Sequence, residues 1–363
     1  MTDKTDLSTE TKTTEIKNKF PQWCKPKRGA SNPEIMTNAL WTHLVETNIS
    51  AYKAHKHFGT GEKKSPGWCF ERFGQSTTDL GRFTVYIGGE HEDYYDEDFY
   101  IYNDVIVKDK DGTITIYGYP EDVFPPTDSH SATWVNTEIF IIGCIGYPDQ
   151  ENKLKTSVRA LNLFDFSIRT ISAIGEHPGW LHKHTATFFS KENVIICEGG
   201  VRVHEQCGMV LENLATWQLC LTTNTWSRLA DKAWSRWALT REDNQQNSLW
   251  KVGEVAYEEQ SKRSHKFSEE YRKELTDKGY PLNAKDYESR YRPPLNHTHI
   301  PTDDYRRHII NIDGVTVRFD ENNWDIIVTV EGNLNDDIIS KLKTHGLETL
   351  SKIEATPYKI INI

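Results

Sequence analysis

The sequence predicts a mainly β fold of propeller type, carried on an N-terminal helix and followed by a small α+β domain. Three observations predict it. First, a motif returns three times at intervals of about 55 residues, close to the length of a propeller blade. Each copy has a polar opening, an apolar run into a glycine pair or its relic, and a second strand. The openings are Phe73-Gly74-Gln75-Ser76, His130-Ser131-Ala132-Thr133 and His184-Thr185-Ala186-Thr187. The runs are Val85-Tyr86-Ile87-Gly88-Gly89, Ile139-Phe140-Ile141-Ile142-Gly143-Cys144 and Val194-Ile195-Ile196-Cys197-Glu198-Gly199-Gly200. Second, the apolar period between about Phe70 and Leu229 is two, the alternation of strands. Third, the chain has 11 tryptophans and 16 tyrosines, rings large enough to brace a β-rich core.

Taken in order, residues 1–20 are rich in Thr, Lys, Asp and Glu and read as a disordered tail. Residues 21–69 read as a helical segment. Asn32-Pro33 supplies a cap and a first-turn proline, and Met36, Leu40 and Leu44 share the face of a helix running to about Phe58. Gly59 to Gly67 reads as a loop. Residues 70–255 read as the repeats, with a fixed internal offset in the second half of each copy. Six residues separate Val107 from Ile114, Leu161 from Ile168, and Leu219 from Trp226.

With that offset, each copy resembles a kelch repeat, whose pattern is an apolar run into a glycine pair and then an aromatic and a tryptophan separated by six residues. The resemblance covers the stretch from Phe70 to Leu229 and is fullest in the third copy. The second has Cys144 for one glycine and Ile168 at the tryptophan place, the first has Ile114 there, and all three have an aliphatic residue at the aromatic place. It implies four-stranded blades of a β-propeller, in the superfamily of galactose-oxidase-like propellers. Three blades do not close a ring. Trp237 to Arg241 and Leu249-Trp250-Lys251-Val252-Gly253 recur at the right distance for a degraded fourth copy. The propeller is therefore expected to be small, divergent or incomplete, with the ring open or closed by non-repeat segments.

Residues 256–300 read as a helical insertion and linker, with Phe267-Ser268-Glu269-Glu270 opening a charged helix that stops near Gly279-Tyr280-Pro281. Residues 301–363 read as a small α+β domain ordered β-β-β-α-β. Asp313-Gly314 is a hairpin turn, Asn322-Asn323 a second turn, Asn335 opens a helix, and Tyr358 to Ile361 is the last strand.

The net charge of −10 argues against nucleic acid and anionic membranes, and no apolar run reaches the length of a membrane span. Met1 to Lys19 lacks the apolar core of a signal peptide. The six cysteines form no CxxC pair, and Cys144, Cys197 and Cys220 sit in apolar strands as reduced thiols would. The expected compartment is the cytoplasm.

Two regions are candidates for chemistry. The loop Glu90-His91-Glu92-Asp93-Tyr94-Tyr95-Asp96-Glu97-Asp98 concentrates oxygen ligands that suit Ca²⁺, though without EF-hand spacing; otherwise it is a solvated loop or an acidic patch for a basic partner. His182 and His184 would share one strand face, and with His204 they form a candidate transition-metal set. Against that, His184 stands at the repeat position of His130, where a structural role is simplest. Galactose-oxidase-like enzymes hold copper with tyrosines and histidines, but nothing here marks their crosslinked cysteine–tyrosine pair. Trp180, in Pro178-Gly179-Trp180, is either a loop-tip anchor or a packing residue, as is Trp68 in Pro66-Gly67-Trp68. The sequence carries no nucleophile elbow, Walker loop or dinucleotide fingerprint.

The expected function is an intracellular protein-interaction module without cofactor or activity of its own, binding through loops 90–98, 120–130, 176–184 and 201–210. Glu90, His91, Asp93, Tyr94, Asp96, Trp180 and His204 are the candidate contacts, and a basic protein partner suits the acidic chain. A toxin-neutralising or defence role fits by analogy. The alternative is a metal-dependent enzyme built on the histidine-rich loops.

Overall fold

The computed structural model describes the chain except residues 1–3, 60–66, 92–96, 98, 148–154, 204–208, 262–267 and 305. The chain forms two compact units, Met1–Lys232 and Ala233–Ile363. It is mainly β, with several antiparallel sheets and, among the described residues, seven helices.

The first unit opens with helix α1 (Lys4–Trp23), where the composition predicts a disordered tail. Ile16 and Phe20, four apart on one face, are buried in the cluster that also holds Leu40, Leu44 and Phe58. The polar composition hides this two-residue anchor. Next come β1 (Glu34–Ile35), α2 (Ala39–Thr47) and α3 (Ala51–Phe58), in place of the single helix expected from Asn32. The Asn32 amide is used elsewhere. Its Nδ2 donates to the Ile168 carbonyl at 2.7 Å, and its Oδ1 accepts from the Ile168 N–H at 2.8 Å. Asn38 caps α2 instead, accepting from Leu40 and Trp41 N–H at 3.1 and 3.2 Å. Asn48, left-handed at φ 52°, ends α2, and Ser50 caps α3.

Three antiparallel sheets follow. The first comprises β2 (Ser76–Asp79), β3 (Phe83–Ile87), β6 (Val105–Asp109) and β7 (Ile114–Gly118), with β1 on its edge; a ribbon of β4 (Glu90–His91) and β5 (Tyr100–Ile101) lies between β3 and β6 in sequence. The second is β8 (Ser131–Val135), β9 (Glu138–Ile142), β10 (Val158–Asn162) and β11 (Ile168–Thr170). The third is β14 (Thr185–Phe189), β15 (Val194–Glu198), β18 (Ala215–Cys220) and β19 (Thr225–Asp231), with β12 (Ile174–Gly175) parallel to β19. A ribbon of β13 (Trp180–His182), β16 (Val201–Val203) and β17 (Val210–Glu212) accompanies it. Each sheet thus contains the same four-stranded meander.

Strand alternation stacks the sheets. Ile139 and Ile141 of β9 pack with Val85, Ile87 and Val105 of the first sheet. Phe140 and Ile142, on the opposite face, pack with Ile195, Cys197 and Trp217 of the third. The first sheet turns Ile106 and Ile116 to the helices. On the far face of the third sheet, Glu198 occupies the register position of Ile87 and Ile142, opposite the strand-opening Ser or Thr, and it is exposed. A polar outer face is what a terminal repeat needs. The six-residue offset makes Leu161–Ile168 and Leu219–Trp226 direct cross-strand pairs; in the first sheet Val107 faces Thr115, one place past Ile114.

The candidate fourth copy belongs to the second unit. Its strand, β20 (Ser235–Arg241), lies between β24 (Asp325–Glu331) and β25 (Tyr358–Asn362) in a six-stranded sheet, and Leu249 opens helix α4 (Leu249–Ser261). Leu249, Val252 and Val255, three apart, are buried on one helix face, and Trp237 and Leu239 join the same core. Then come α5 (Ser268–Asp277), α6 (Ala284–Ser289), β21 (Thr298–Ile300), β22 (Arg307–Ile312), β23 (Val315–Glu321), β24 (Asp325–Glu331), α7 (Asp336–Ile353) and β25 (Tyr358–Asn362). The sheet order is β21-β22-β23-β24-β20-β25. Asp313 and Gly314, at φ 51° and 84°, form the β22–β23 turn, and Asn335 caps α7 through the Ile338 N–H at 2.9 Å.

Candidate functional site

The histidine region is built on the openings of the three sheets. His130 immediately precedes β8, and its Nε2 lies 2.7 Å from the Ser76 hydroxyl of the first sheet. His184 immediately precedes β14, and its Nε2 lies 2.8 Å from the Ser131 hydroxyl of the second. Each imidazole thus reaches back to the first residue of the preceding four-stranded meander. The first copy has Gln75 at this place, and its amide donates to the Gly88 carbonyl at 3.4 Å.

Glycines make the approach possible. A Cβ on Gly88 would overlap the Thr127 carbonyl, and one on Gly143 the Leu181 carbonyl. Their φ values, 57° and 70°, also favour glycine. Gly199 holds the equivalent place in the third sheet at φ 65°, with nothing within 4 Å of its would-be Cβ. Thr185, the counterpart of Ser76 and Ser131, donates to Glu198 O of its own sheet at 3.2 Å.

Burial keeps these imidazoles neutral. Desolvation, then neighbouring His184, lowers His130 from 6.5 to about 3. Desolvation, then Lys183, lowers His182 to about 4; desolvation, then His182, lowers His184 to about 4. A hydroxyl within hydrogen-bond reach of an imidazole is also the spacing of a nucleophile and its base. Among the described residues, Nδ1 of His130 and of His184 has no hydrogen-bond partner to serve as a third, orienting group. Ser131 is itself buried against His184. The arrangement joins successive sheets through side-chain contacts.

His182 and His184 are neighbours, and His130 is close enough to feel His184. Among the described residues no three His, Cys, Asp or Glu side chains converge as a metal site. His204, Asp93, Tyr94 and Asp96 lie outside the described residues. Glu90 and His91 sit half-buried on a different ribbon, opposite Ile101 and Tyr100. Trp180 is buried on β13, opposite Val203, and its indole N–H donates to the Cys144 carbonyl. Trp68 stacks on Trp41 at 4.9 Å and donates to Asp104 at 2.7 Å.

One polar cluster has no signal in the sequence. The wholly buried Arg72 side chain pairs with Asp104 at 2.5 Å and lies 3.5 Å over the Tyr102 ring. It also donates to the carbonyls of Cys69 and Gly88 at 2.8 and 2.9 Å. Its Nε, Nη1 and Nη2 all donate to protein groups, so the cluster locks the loop before β2 onto the first sheet. Only the fold brings Arg72 and Asp104 together across 32 residues. Among the described residues, no helix is long and apolar enough to cross a membrane. Cys24, Cys69, Cys144, Cys197 and Cys220 are free thiols.

No family model matches the chain, and no curated protein matches it. Solved structures do match, among them one described as "Structure of YjhT", with 11% sequence identity and a TM-score of 0.33. That match covers 45% of this chain and about half, 52%, of the other. A likeness of this size decides neither fold nor function.

Proposed function

We propose that the three sheets of the first unit are divergent kelch-like blades of an incomplete propeller, and that the chain is a cytoplasmic protein-interaction module. One observation carries the reading: His130 and His184 are buried, neutral and engaged with Ser76 and Ser131 across successive sheets. His184, one of the residues on which an enzyme reading depends, thereby has a scaffold role in this reading. The repeated glycine contacts at Thr127 and Leu181 support the same blade-to-blade geometry. Binding then falls to the connecting ribbons, β4–β5 and β13–β16–β17, which hang off a rigid frame. A net charge of −10 favours a basic protein partner, as a toxin-neutralising or defence protein would need.

The test is cross-linking of the full chain in native extract, with the cross-linked positions mapped by mass spectrometry. One partner, joined at residues 90–101 or 176–203 and lost on Glu90→Lys, supports the module. Turnover of a substrate that disappears in His184→Gln, with the fold intact, contradicts it.

A further inference from the structure

The second unit contains a cleft of about 430 Å³, a volume within the range of small-molecule sites. It lies where the end of β20, the β23–β24 turn, the first turn of α4 and the chain after α5 meet. Two indoles line it, Trp250 and Trp324, and they are 39% and 54% exposed. Tryptophan is highly buried on average, so two exposed rings lining one cavity require an explanation. Gln245 and Gln246 line it too, offering amide donors and acceptors.

Cationic side chains also line the cleft. Glu274 holds two ammonium groups, Lys251 at 2.5 Å and Lys278 at 2.7 Å, one on each carboxylate oxygen. Both lysines line the cleft and Glu274 does not, so one carboxylate outside the lining fixes two ammonium groups beside each other. Arg241, also in the lining, is already engaged with Asp243 at 2.6 Å, Tyr280 at 2.9 Å and Glu354 at 3.3 Å. The walls are tied together before any ligand arrives. Asn247, just ahead of α4, bonds to the Asn322 and Asn323 carbonyls beside Trp324 at 2.6 and 2.8 Å. Trp250 is held edge-on by Tyr271, with ring centroids 4.9 Å apart.

We propose that this cleft binds a nucleotide, with the base against Trp324 and Trp250 and the phosphate on the Lys251–Lys278 pair. A neutral sugar would use the rings and leave the lysines; inorganic phosphate would use the lysines and leave the rings. A nucleotide engages both, through stacking and through a point-charge contact to phosphate.

Isothermal titration of the full chain with AMP, adenosine and inorganic phosphate tests this. AMP should bind saturably, at least about tenfold more tightly than either fragment. Lys278→Gln should weaken AMP about two- to fivefold and leave adenosine unchanged. Trp324→Ala should weaken AMP and adenosine and leave phosphate unchanged. Both side chains are largely exposed, and far-UV circular dichroism checks that each variant folds. No saturable AMP binding at millimolar concentration, phosphate binding as tightly as AMP, or wild-type affinity in both variants overturns the proposal.

Discussion

Gly143 and Gly199 follow equivalent strands with φ 70° and 65°, yet only Gly143 abuts a neighbouring carbonyl. Both should lose stability as alanine through backbone strain, but Gly143→Ala must also displace Leu181. We expect Gly143→Ala to cost about 2 kcal/mol more than Gly199→Ala in urea unfolding. Equal losses would mean that the inter-sheet contact carries little. The histidines give a second test. The folded pKa values, about 3 for His130 and about 4 for His182 and His184, lie below the ordinary 6.5. Between those limits the unfolded chain binds more protons, so the stabilisation is complete above pH 6.5 and is lost as pH falls through the window. The urea midpoint should drop between pH 7 and pH 5. His130→Gln, which copies the Gln75 of the first repeat, should flatten that slope by close to one proton. An unchanged slope would place a charged imidazole in the fold. The sequence places His130 and His184 at repeat positions, but only the structure shows Ser76 and Ser131 as their partners.

Helix starts and strand faces are the next scale. Asn38 accepts from two α2 amides and its Nδ2 donates to the Trp23 carbonyl at 3.1 Å. Asn38→Ala should cost about 1 kcal/mol in thermal or urea melts, and Asn32→Ala should leave α2 capped. Loss of helicity in Asn32→Ala but not in Asn38→Ala would restore the helix start expected from Asn32-Pro33. That start is misread because an asparagine can cap a helix or hold a strand edge, and local sequence does not choose between them. Strands differ in a way that hydrogen exchange can read. Ser131, Thr133 and Val135 of β8 are buried, whereas Thr185, Thr187 and Phe189 of β14 are exposed. The amides of β14 bonded to β15 should exchange faster than those of β8 bonded to β9. Equal protection would mean that another layer covers β14.

Across the whole molecule, periodicity is the most readable property, and the end of the period the least. The three meanders are legible because glycine places and alternation repeat, and the β22–β23 hairpin because Asp313-Gly314 has few other uses. Trp237 to Arg241 alternates equally well, so its pairing with β24 and β25 depends on strands up to about 120 residues away that no local pattern reveals. The polar substitution at Glu198 is the residue that marks the last sheet, and it is visible only once the register is known. The account depends on the histidines joining sheets rather than holding a metal. Elemental analysis of the purified full chain, beside His184→Gln, tests this most directly. Well under one equivalent of zinc, copper or calcium in both proteins is the predicted result. One equivalent of metal in the native chain, lost in His184→Gln, would contradict it.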